Sequence, residues 1–372
     1  MSKKIKIFIF FMIFSLFCIK SFLVIGTNTT YSFSEIGSIA TTSSIISMDC
    51  LDNELAFLAE INRGLTIYNI TNPSNCIELD YHPLSFVHDI ALDFERKLVY
   101  ITASTGVNIF DYSDPNELTL LSTYLNYTTS TFIQLKGELL FIGAEDRGLQ
   151  IVNVTNPNEP VMIGNWKDSI GHVGPLYIIG NYVFAGIRIP NINAPPTIID
   201  LKILDISDPT NITLVSIVDT GGGYDGGAPK AHTDDVVYLN DYDEGLKILN
   251  FTDPSDVSVI GIYSDGGSFN DLELINDDIV YLADDGEGLK VIDCSDPENL
   301  FLVDSYQHQW RTIRVVTKEN RVYLATLSGG VRILSAEIKT RKAEINPMFI
   351  VSGLAITSII LLLKKRKLCE LE

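Results

Sequence analysis

The chain has 372 residues and a formal net charge of −20, so it is too long for one small domain and strongly acidic. Residues 27–346 carry 45 acidic and 19 basic side chains, a balance of −26, because many cations cluster near the two ends. So acidic a region argues against nucleic acid or an anionic membrane surface as its partner. It is compatible with cationic ligands, with divalent metal, or with solvation alone.

The N-terminal segment combines a short basic stretch with an apolar run. Lys3, Lys4 and Lys6 precede the apolar residues 7–19. This order is typical of a secretory signal, and we expect residues 1–26 to be a signal peptide cleaved near Gly26. An uncleaved anchor is the alternative, since residues 7–26 are interrupted only by Lys20 and serines.

Seven copies of one pattern follow, at a period of about 42 residues. Each copy holds four short apolar runs separated by turn residues, which predicts four strands and no helix. Four strands per repeat of this length are typical of a propeller blade. We therefore predict an all-β fold, a seven-bladed propeller spanning residues 27–342. The turn glycines that mark six of the copies are Gly64, Gly106, Gly148, Gly245, Gly288 and Gly330.

The seventh copy is incomplete. It ends after its third strand, at residues 331–336, whereas residues 32–41 align with the fourth strand of the other copies. We expect this N-terminal strand to complete the last blade and to close the ring, which removes exposed sheet edges.

The repeated sequence Gly-Leu-x-Ile-x-Asp/Asn-x-Ser/Thr-Asp/Asn-Pro resembles the LVIVD-repeat family of β-propellers over about residues 32–336. The resemblance implies the propeller fold and brings no catalytic residues with it. The chain departs from the pattern by an insertion in the fourth copy and by the missing Pro in the seventh. It also has Asn in place of Asp at Asn69, Asn153 and Asn250.

Two long loops interrupt the strict period, at residues 187–197 and 220–230. They belong to neighbouring blades and to one face, built from second–third and fourth–first strand loops, which we call the loop face. The Asp-Pro and Asn-Pro turns between third and fourth strands form the opposite Asx-Pro face. Function concentrates in loops on a rigid scaffold, so we expect the two loops to meet and to bind a ligand. A tolerated surface insertion is the alternative. The candidate binding residues are Ile187, Pro190, Asn191, Tyr224, Asp225 and His232, with Asp89 and Arg311 at the channel mouth.

The starts of the innermost strands should line the channel mouth, and several bear His or Asp. His88, His172 and Asp271 are candidate acid–base residues, and His88, Asp89 and Asp271 are candidate ligands of a divalent metal. No other cofactor is expected, and a satisfied polar rim is the plainer interpretation. The acidic turns 241–245 and 284–288 are faintly similar to calcium loops. They lack the full set of ligands, so ordinary turn chemistry is favoured there.

The C-terminal apolar run 347–363 is followed by the cations Lys364, Lys365, Arg366 and Lys367. Seventeen residues at about 1.5 Å each approach the thickness of a bilayer core. We therefore predict a transmembrane helix over residues 343–363 and a cytoplasmic tail over 364–372, with the propeller outside the plasma membrane. Both ends leave the ring on the Asx-Pro face, so the loop face should be membrane-distal.

Two classes of function remain open. The first is a cell-surface binding, adhesion or scaffold module that recognises a protein or glycan through its membrane-distal face. The second is an extracellular hydrolase or lyase with a His/Asp site at the channel mouth; a solute sensor is a third, weaker candidate. A binding module is favoured over an enzyme because no nucleophile elbow, phosphate loop or zinc motif is present. Packing, or a Cys50–Cys76 disulfide, would account for the cysteines of this region, Cys50, Cys76 and Cys294.

Overall fold

The structure is a computed structural model that describes residues 27–124, 132–169, 171–189, 197–218, 223–224, 228–233, 235–241 and 244–342. One compact unit is Ser32–Glu337, and the other comprises Met1–Tyr31 and Ile338–Glu372. The segments predicted to be a signal peptide (1–26) and a transmembrane helix with its tail (343–372) lie outside the described residues. Within the described ranges, no helix is long and apolar enough to cross a membrane.

Seven antiparallel sheets form seven blades, as predicted, and in each blade the strands pair in sequential order from the innermost outwards. Blades 1 to 3 contain Ile45–Leu51 (β2), Leu55–Glu60 (β3), Gly64–Asn69 (β4), Ile77–Pro83 (β5); Ile90–Asp93 (β6), Leu98–Ala103 (β7), Gly106–Asp111 (β8), Thr119–Tyr124 (β9); and Phe132–Lys136 (β10), Leu139–Gly143 (β11), Leu149–Asn153 (β12), Val161–Trp166 (β13).

Blades 4 to 6 contain His172–Ile179 (β14), Tyr182–Ile189 (β15), Thr197–Asp205 (β16), Thr213–Val218 (β17) and the short Gly223–Tyr224 (β18); Ala228–His232 (β19), Val236–Asp241 (β20), Gly245–Asn250 (β21), Ser258–Tyr263 (β22); and Phe269–Asn276 (β23), Ile279–Asp284 (β24), Gly288–Asp293 (β25), Phe301–Tyr306 (β26). Blade 7 contains Thr312–Lys318 (β27), Arg321–Thr326 (β28), Gly330–Lys342 (β29) and the N-terminal strand Thr27–Ile39 (β1).

The N-terminal strand closes the ring. Strand β1 pairs with β29 as the outer strand of blade 7, which confirms the prediction from the incomplete seventh copy. Glu35 on β1 accepts hydrogen bonds from Tyr306 of blade 6 (2.9 Å) and from Arg332 of blade 7 (3.2 Å). Gly330 opens β29 with φ +75, and a Cβ there would lie 2.0 Å from the carbonyl oxygen of Ile39. The turn glycine of this copy therefore makes room for the closing strand.

Apolar packing between successive blades forms the core. The second and third strands are buried along nearly their whole length, since each blade is covered on both faces by its neighbours. Phe57 and Ile67 of blade 1, for example, pack against Ile101 and Phe110 of blade 2. Equivalent clusters lie between blades 2 and 3, 3 and 4, 4 and 5, 5 and 6, and 7 and 1.

The cysteines of the propeller are free thiols. Cys50 and Cys294 are buried in two of the apolar clusters, and Cys76 is half-buried beside one of them. The structure therefore supports packing, and it shows no disulfide between Cys50 and Cys76.

The Asx-Pro turns have the structural role that their sequence predicts. The side chain of Asp208 caps its turn by accepting the N–H of Thr210 (2.9 Å), and Asp253 accepts that of Ser255 in the same way (2.9 Å). Each turn also contacts the outer strand of the preceding blade. The hydroxyl of Ser216 donates to the carbonyl of Pro254 at 2.6 Å, for instance. These turns therefore join neighbouring blades on the Asx-Pro face.

Candidate functional site

Blade 4 extends further on the loop face than the other blades. Its strands β15 and β16 have eight and nine residues, whereas the second strands of the other blades have five or six. They stay paired as far as Ile189 and Thr197. Strand β18, from the second long loop, then adds to β16 through the pairs Thr197 with Tyr224 and Ile198 with Gly223. The two long loops thus meet through backbone pairing, as predicted, and form a feature that we call the blade-4 extension (residues 187–198 with 223–224).

The candidate binding residues of these loops occupy different environments. Ile187 is fully buried in the apolar cluster between blades 3 and 4, so its side chain serves packing. Tyr224 lies in β18, and His232 is the last residue of β19, where its backbone pairs with Val237. Three further candidates lie outside the described residues: Pro190, Asn191 and Asp225.

A charged cluster lies at the base of the blade-4 extension. The guanidinium of Arg188, on β15, is 3.3 Å from the carboxylate of Glu145, which belongs to blade 3. The same carboxylate lies 3.6 Å from Nδ1 of His172. Arg188 also stands over the ring of Phe132, 5.0 Å from its centroid. His172 therefore belongs to a cluster that joins blades 3 and 4.

The innermost strands of all seven blades line a central cavity of about 330 Å³. Blades 3 and 4 contribute mainly apolar groups, including Phe132 and Leu176. Charged side chains come from the other blades. They are Asp49, Asp89, Lys230, Asp271, Glu273, Arg314 and Lys318. The predicted residues Asp89 and Asp271 thus do line the channel, but most of its charged residues were not identified from the sequence.

Arg314 of blade 7 is the centre of the charged network. Its Nη2 donates to Asp89 of blade 2 at 2.8 Å and to the hydroxyl of Ser47 in blade 1, and its Nη1 lies 3.9 Å from Asp271 in blade 6. Lys230 of blade 5 is 3.4 Å from the same Asp271 oxygen. Burial alone would lower the pKa of Arg314. The carboxylates of Asp271 and Asp89 outweigh this effect and hold the pKa of Arg314 above its usual value. One guanidinium therefore lies between two of the candidate metal ligands.

Two of these carboxylates also bond to the backbone of the next blade. Oδ2 of Asp89 accepts the N–H of Ile133 in blade 3 at 3.1 Å, and Oδ2 of Asp271 accepts the N–H of Val315 in blade 7 at the same distance. Gln134 does the same for Ile178 (2.8 Å). The recurrence of this bond in three blades indicates a structural role for Asp89 and Asp271 in joining innermost strands.

Further along the channel, Glu273 and Asp49 lie near Lys318. The pKa of Glu273 is raised to about 7, chiefly by burial. The carboxylates of Asp271 and Asp49 also raise this pKa, whereas the Thr317 hydroxyl and the Lys318 cation lower it. Burial likewise raises the pKa of Asp49, although Lys318, at 3.7 Å, opposes the shift. The channel therefore holds a carboxyl group that titrates near neutral pH.

His88 and Arg311, the remaining predicted residues, make other contacts. His88 lies in the loop before β6, where its backbone N–H donates to the carbonyl of Thr102 (3.1 Å). Arg311 is 54% exposed and pairs with both carboxylate oxygens of Asp285, at 2.8 and 2.9 Å. Within the described ranges, no three His, Cys, Asp or Glu side chains are placed together to hold a metal ion.

The acidic turns hold buried lysines. Lys290, one position after Gly-Leu in its copy, lies 2.8 Å from Asp284 and 2.6 Å from Asp265. Lys247 pairs in the same way with Asp241 (2.9 Å) and Glu244 (2.5 Å). In both turns an ammonium group of the protein itself occupies the centre of the carboxylates, so these are structural turns, as the sequence favours.

Comparison with known proteins supports the repeat and the fold. A family model described as the LVIVD repeat matches residues 130–168, 199–220 and 267–308. The crystal structure of the computationally designed Ika8 protein aligns with a TM-score of 0.57 and 14% identity, covering 81% of this chain and 99% of its own. The WD40 β-propeller domain of Doa1 aligns with a TM-score of 0.64 and 9% identity, covering 82% and 97%. Identities this low show the fold alone.

The search of curated proteins gave no match. The chain thus contains LVIVD repeats over the matched residues, and its structure is a seven-bladed β-propeller.

Proposed function

We propose that the protein is a binding or scaffold module that recognises a protein partner through the blade-4 extension. One observation carries the proposal: the two longest loops of the repeat sequence, from neighbouring blades, are joined by backbone pairing of Thr197 with Tyr224 and of Ile198 with Gly223. A random insertion into one surface loop would not need a partner in the next repeat. Loops held on a rigid scaffold are common recognition elements, and propellers commonly serve as binding modules.

The composition of the extension favours a protein partner over a charged ligand. Residues 189–196 read Ile-Pro-Asn-Ile-Asn-Ala-Pro-Pro and carry no charge, within a region of balance −26. Prolines restrict the chain before binding and so reduce the entropy lost on association. Uncharged segments with isoleucine and proline suit an apolar protein surface better than a polar glycan.

The proposal places the propeller outside the cell. It rests on the basic and apolar N-terminal segment and on the apolar run 347–363 with its four following cations. The last blade has its third strand in β29 and its fourth in β1, so no Asx-Pro turn joins them. Both ends of the ring therefore leave at the Asx-Pro face, and the loop face with its blade-4 extension would be free to meet a partner.

The test shortens the extension and measures recognition. Residues 190–196 are replaced by Asn-Gly, a two-residue hairpin turn that preserves pairing of β15 with β16. A matched control replaces Ile262, which is 56% exposed on β22, by Ser. Partners crosslinked to full-length protein at the surface of its own cells are identified by mass spectrometry, and their affinity is then measured with purified components.

We expect the shortened variant to lose at least about tenfold in affinity, or 1.4 kcal/mol, while the control retains it. A partner that binds equally well after shortening of both long loops would contradict the proposal. Loss of binding after enzymatic removal of the partner's glycans would instead assign a glycan ligand.

A further inference from the structure

We infer that the central channel is a binding site for a small monocarboxylate with an apolar body. This inference does not rest on the proposed recognition through the blade-4 extension. Its basis is a cavity of about 330 Å³ whose wall is apolar on one side and charged on the other. The volume lies at the lower end of the roughly 300–1,000 Å³ of small-molecule sites.

Two cations converge on one carboxylate oxygen at the charged side of the channel. Nζ of Lys230 lies 3.4 Å and Nη1 of Arg314 3.9 Å from Oδ1 of Asp271. Both distances exceed the roughly 2.7–3.2 Å of a normal N–H···O hydrogen bond. Asp271 is fixed in place, because its other oxygen accepts the N–H of Val315 at 3.1 Å. The two cations therefore share one carboxylate that is placed too far away to satisfy both.

Both cations retain donor capacity. Nη2 of Arg314 is used by Asp89 and Ser47, but among the described residues Nε has no hydrogen-bond partner and Nη1 has only the distant Asp271 oxygen. An ammonium group offers three donors and a guanidinium five. A carboxylate in the cavity would accept hydrogen bonds from both Lys230 and Arg314 and would satisfy their remaining donors.

The electrostatics agree with this geometry. Burial lowers the pKa of Lys230, and the neighbouring Arg314 cation lowers it further. The carboxylates of Asp271 and Asp89 raise this pKa and so oppose part of the shift. The Arg314 cation, close by in a partly desolvated site, disfavours the charge of Lys230, and a bound anion would relieve this. A single negative charge is what the site can accept, since Asp89 and Glu273 also line the cavity and would repel a second one.

The opposite wall selects an apolar body. Blades 3 and 4 present Phe132, Ile133, Pro175 and Leu176 to the cavity. These groups would contact an aromatic or branched aliphatic chain while its carboxylate lies against the cations.

The test uses full-length protein in an uncharged maltoside detergent and 3-phenylpropionate as the probe. Calorimetric titration is compared for the wild type, for Lys230→Met, and for Lys136→Met, a matched control on an exposed lysine of β10 that does not line the cavity. 3-Phenylpropanol and inorganic phosphate are the neutral and the multiply charged comparison probes. Thermal unfolding of each variant checks that it is folded.

We expect 3-phenylpropionate to bind the wild type and Lys136→Met equally, and to bind Lys230→Met at least about tenfold more weakly because a charge-assisted bond is lost. We expect the alcohol and phosphate to bind more weakly than the carboxylate by a similar factor. NMR titration of the lysine ammonium groups should show the pKa of Lys230 rising on binding. Absence of wild-type binding at millimolar concentration, equal affinity in folded Lys230→Met, or equal binding of the alcohol or of phosphate would overturn the inference.

Discussion

Replacing Glu273 by Gln is expected to stabilise the propeller above pH 7 and to leave its stability unchanged near pH 4. The folded-state pKa of Glu273 is raised from 4.5 to about 7, chiefly by burial in the channel. Between these two values the folded state holds the proton more tightly than the unfolded chain. Stability therefore falls as the pH rises from 4.5 to 7, and the loss persists above pH 7. Glutamine has no charge to bury and escapes this loss.

The size of the effect follows from the shift and from the neighbours. A rise from 4.5 to about 7 corresponds to about 3.4 kcal/mol at 1.36 kcal/mol per unit. Solvent in the channel screens part of it, and Lys318 loses an attractive partner, so we expect a gain of about 2 kcal/mol at pH 8. Asp49 and Tyr177 also face the carboxylate, and the Oε1 of glutamine can still accept the Thr317 hydroxyl, which donates at 2.9 Å.

The assay is urea unfolding of the full-length chain at pH 4 and pH 8 for wild type, Glu273→Gln and the control Glu298→Gln, an exposed residue of an Asx-Pro turn. The difference in unfolding free energy between variant and wild type is compared at the two pH values. The control should show no pH-dependent difference. A Glu273→Gln protein that is less stable than wild type at pH 8, or equally stabilised at both pH values, would refute the reasoning.

Two other substitutions test the packing of the repeat, each against a matched control by urea unfolding. Gly64→Ala should destabilise by at least about 2 kcal/mol, because the added Cβ would lie 2.2 Å from a backbone carbonyl at φ +109; Gly137→Ala, at φ +58 with open space around it, should cost about 1 kcal/mol. Lys290→Met should cost about 3 kcal/mol by leaving the buried Asp284 carboxylate unpaired, whereas the exposed Arg311→Met should cost less than about 1 kcal/mol. If Gly64→Ala and Gly137→Ala lost similar stability, or if Lys290→Met and Arg311→Met did, the structural role assigned to Gly64 or to Lys290 would be contradicted.

Some channel residues could be placed from the sequence because they sit at a fixed register. Counting back from the second strand identifies Asp89 and the neighbourhood of Asp271 as the starts of innermost strands, and both residues line the cavity. The same register missed Arg314 and Glu273, although a signal was present. Arg314 lies two residues after the predicted strand start Thr312, and Glu273 lies two residues after the candidate Asp271, on strands whose alternate side chains share one face. The partners of Arg314 could not have been found this way, since Asp89 is 225 residues away in the chain.

The sequence alone determined the number of blades, the four strands in each, the closing N-terminal strand and the turn chemistry. These are local or periodic properties, and each copy repeats the same information. Only the tertiary structure decided which charged side chains meet in the channel and how the two long loops pair. Those contacts join residues from different blades, and their geometry depends on how the ring closes. Closure thus fixes the repeats in one circle and brings Lys230, Asp271 and Arg314 to one side of the cavity, opposite the apolar wall of blades 3 and 4.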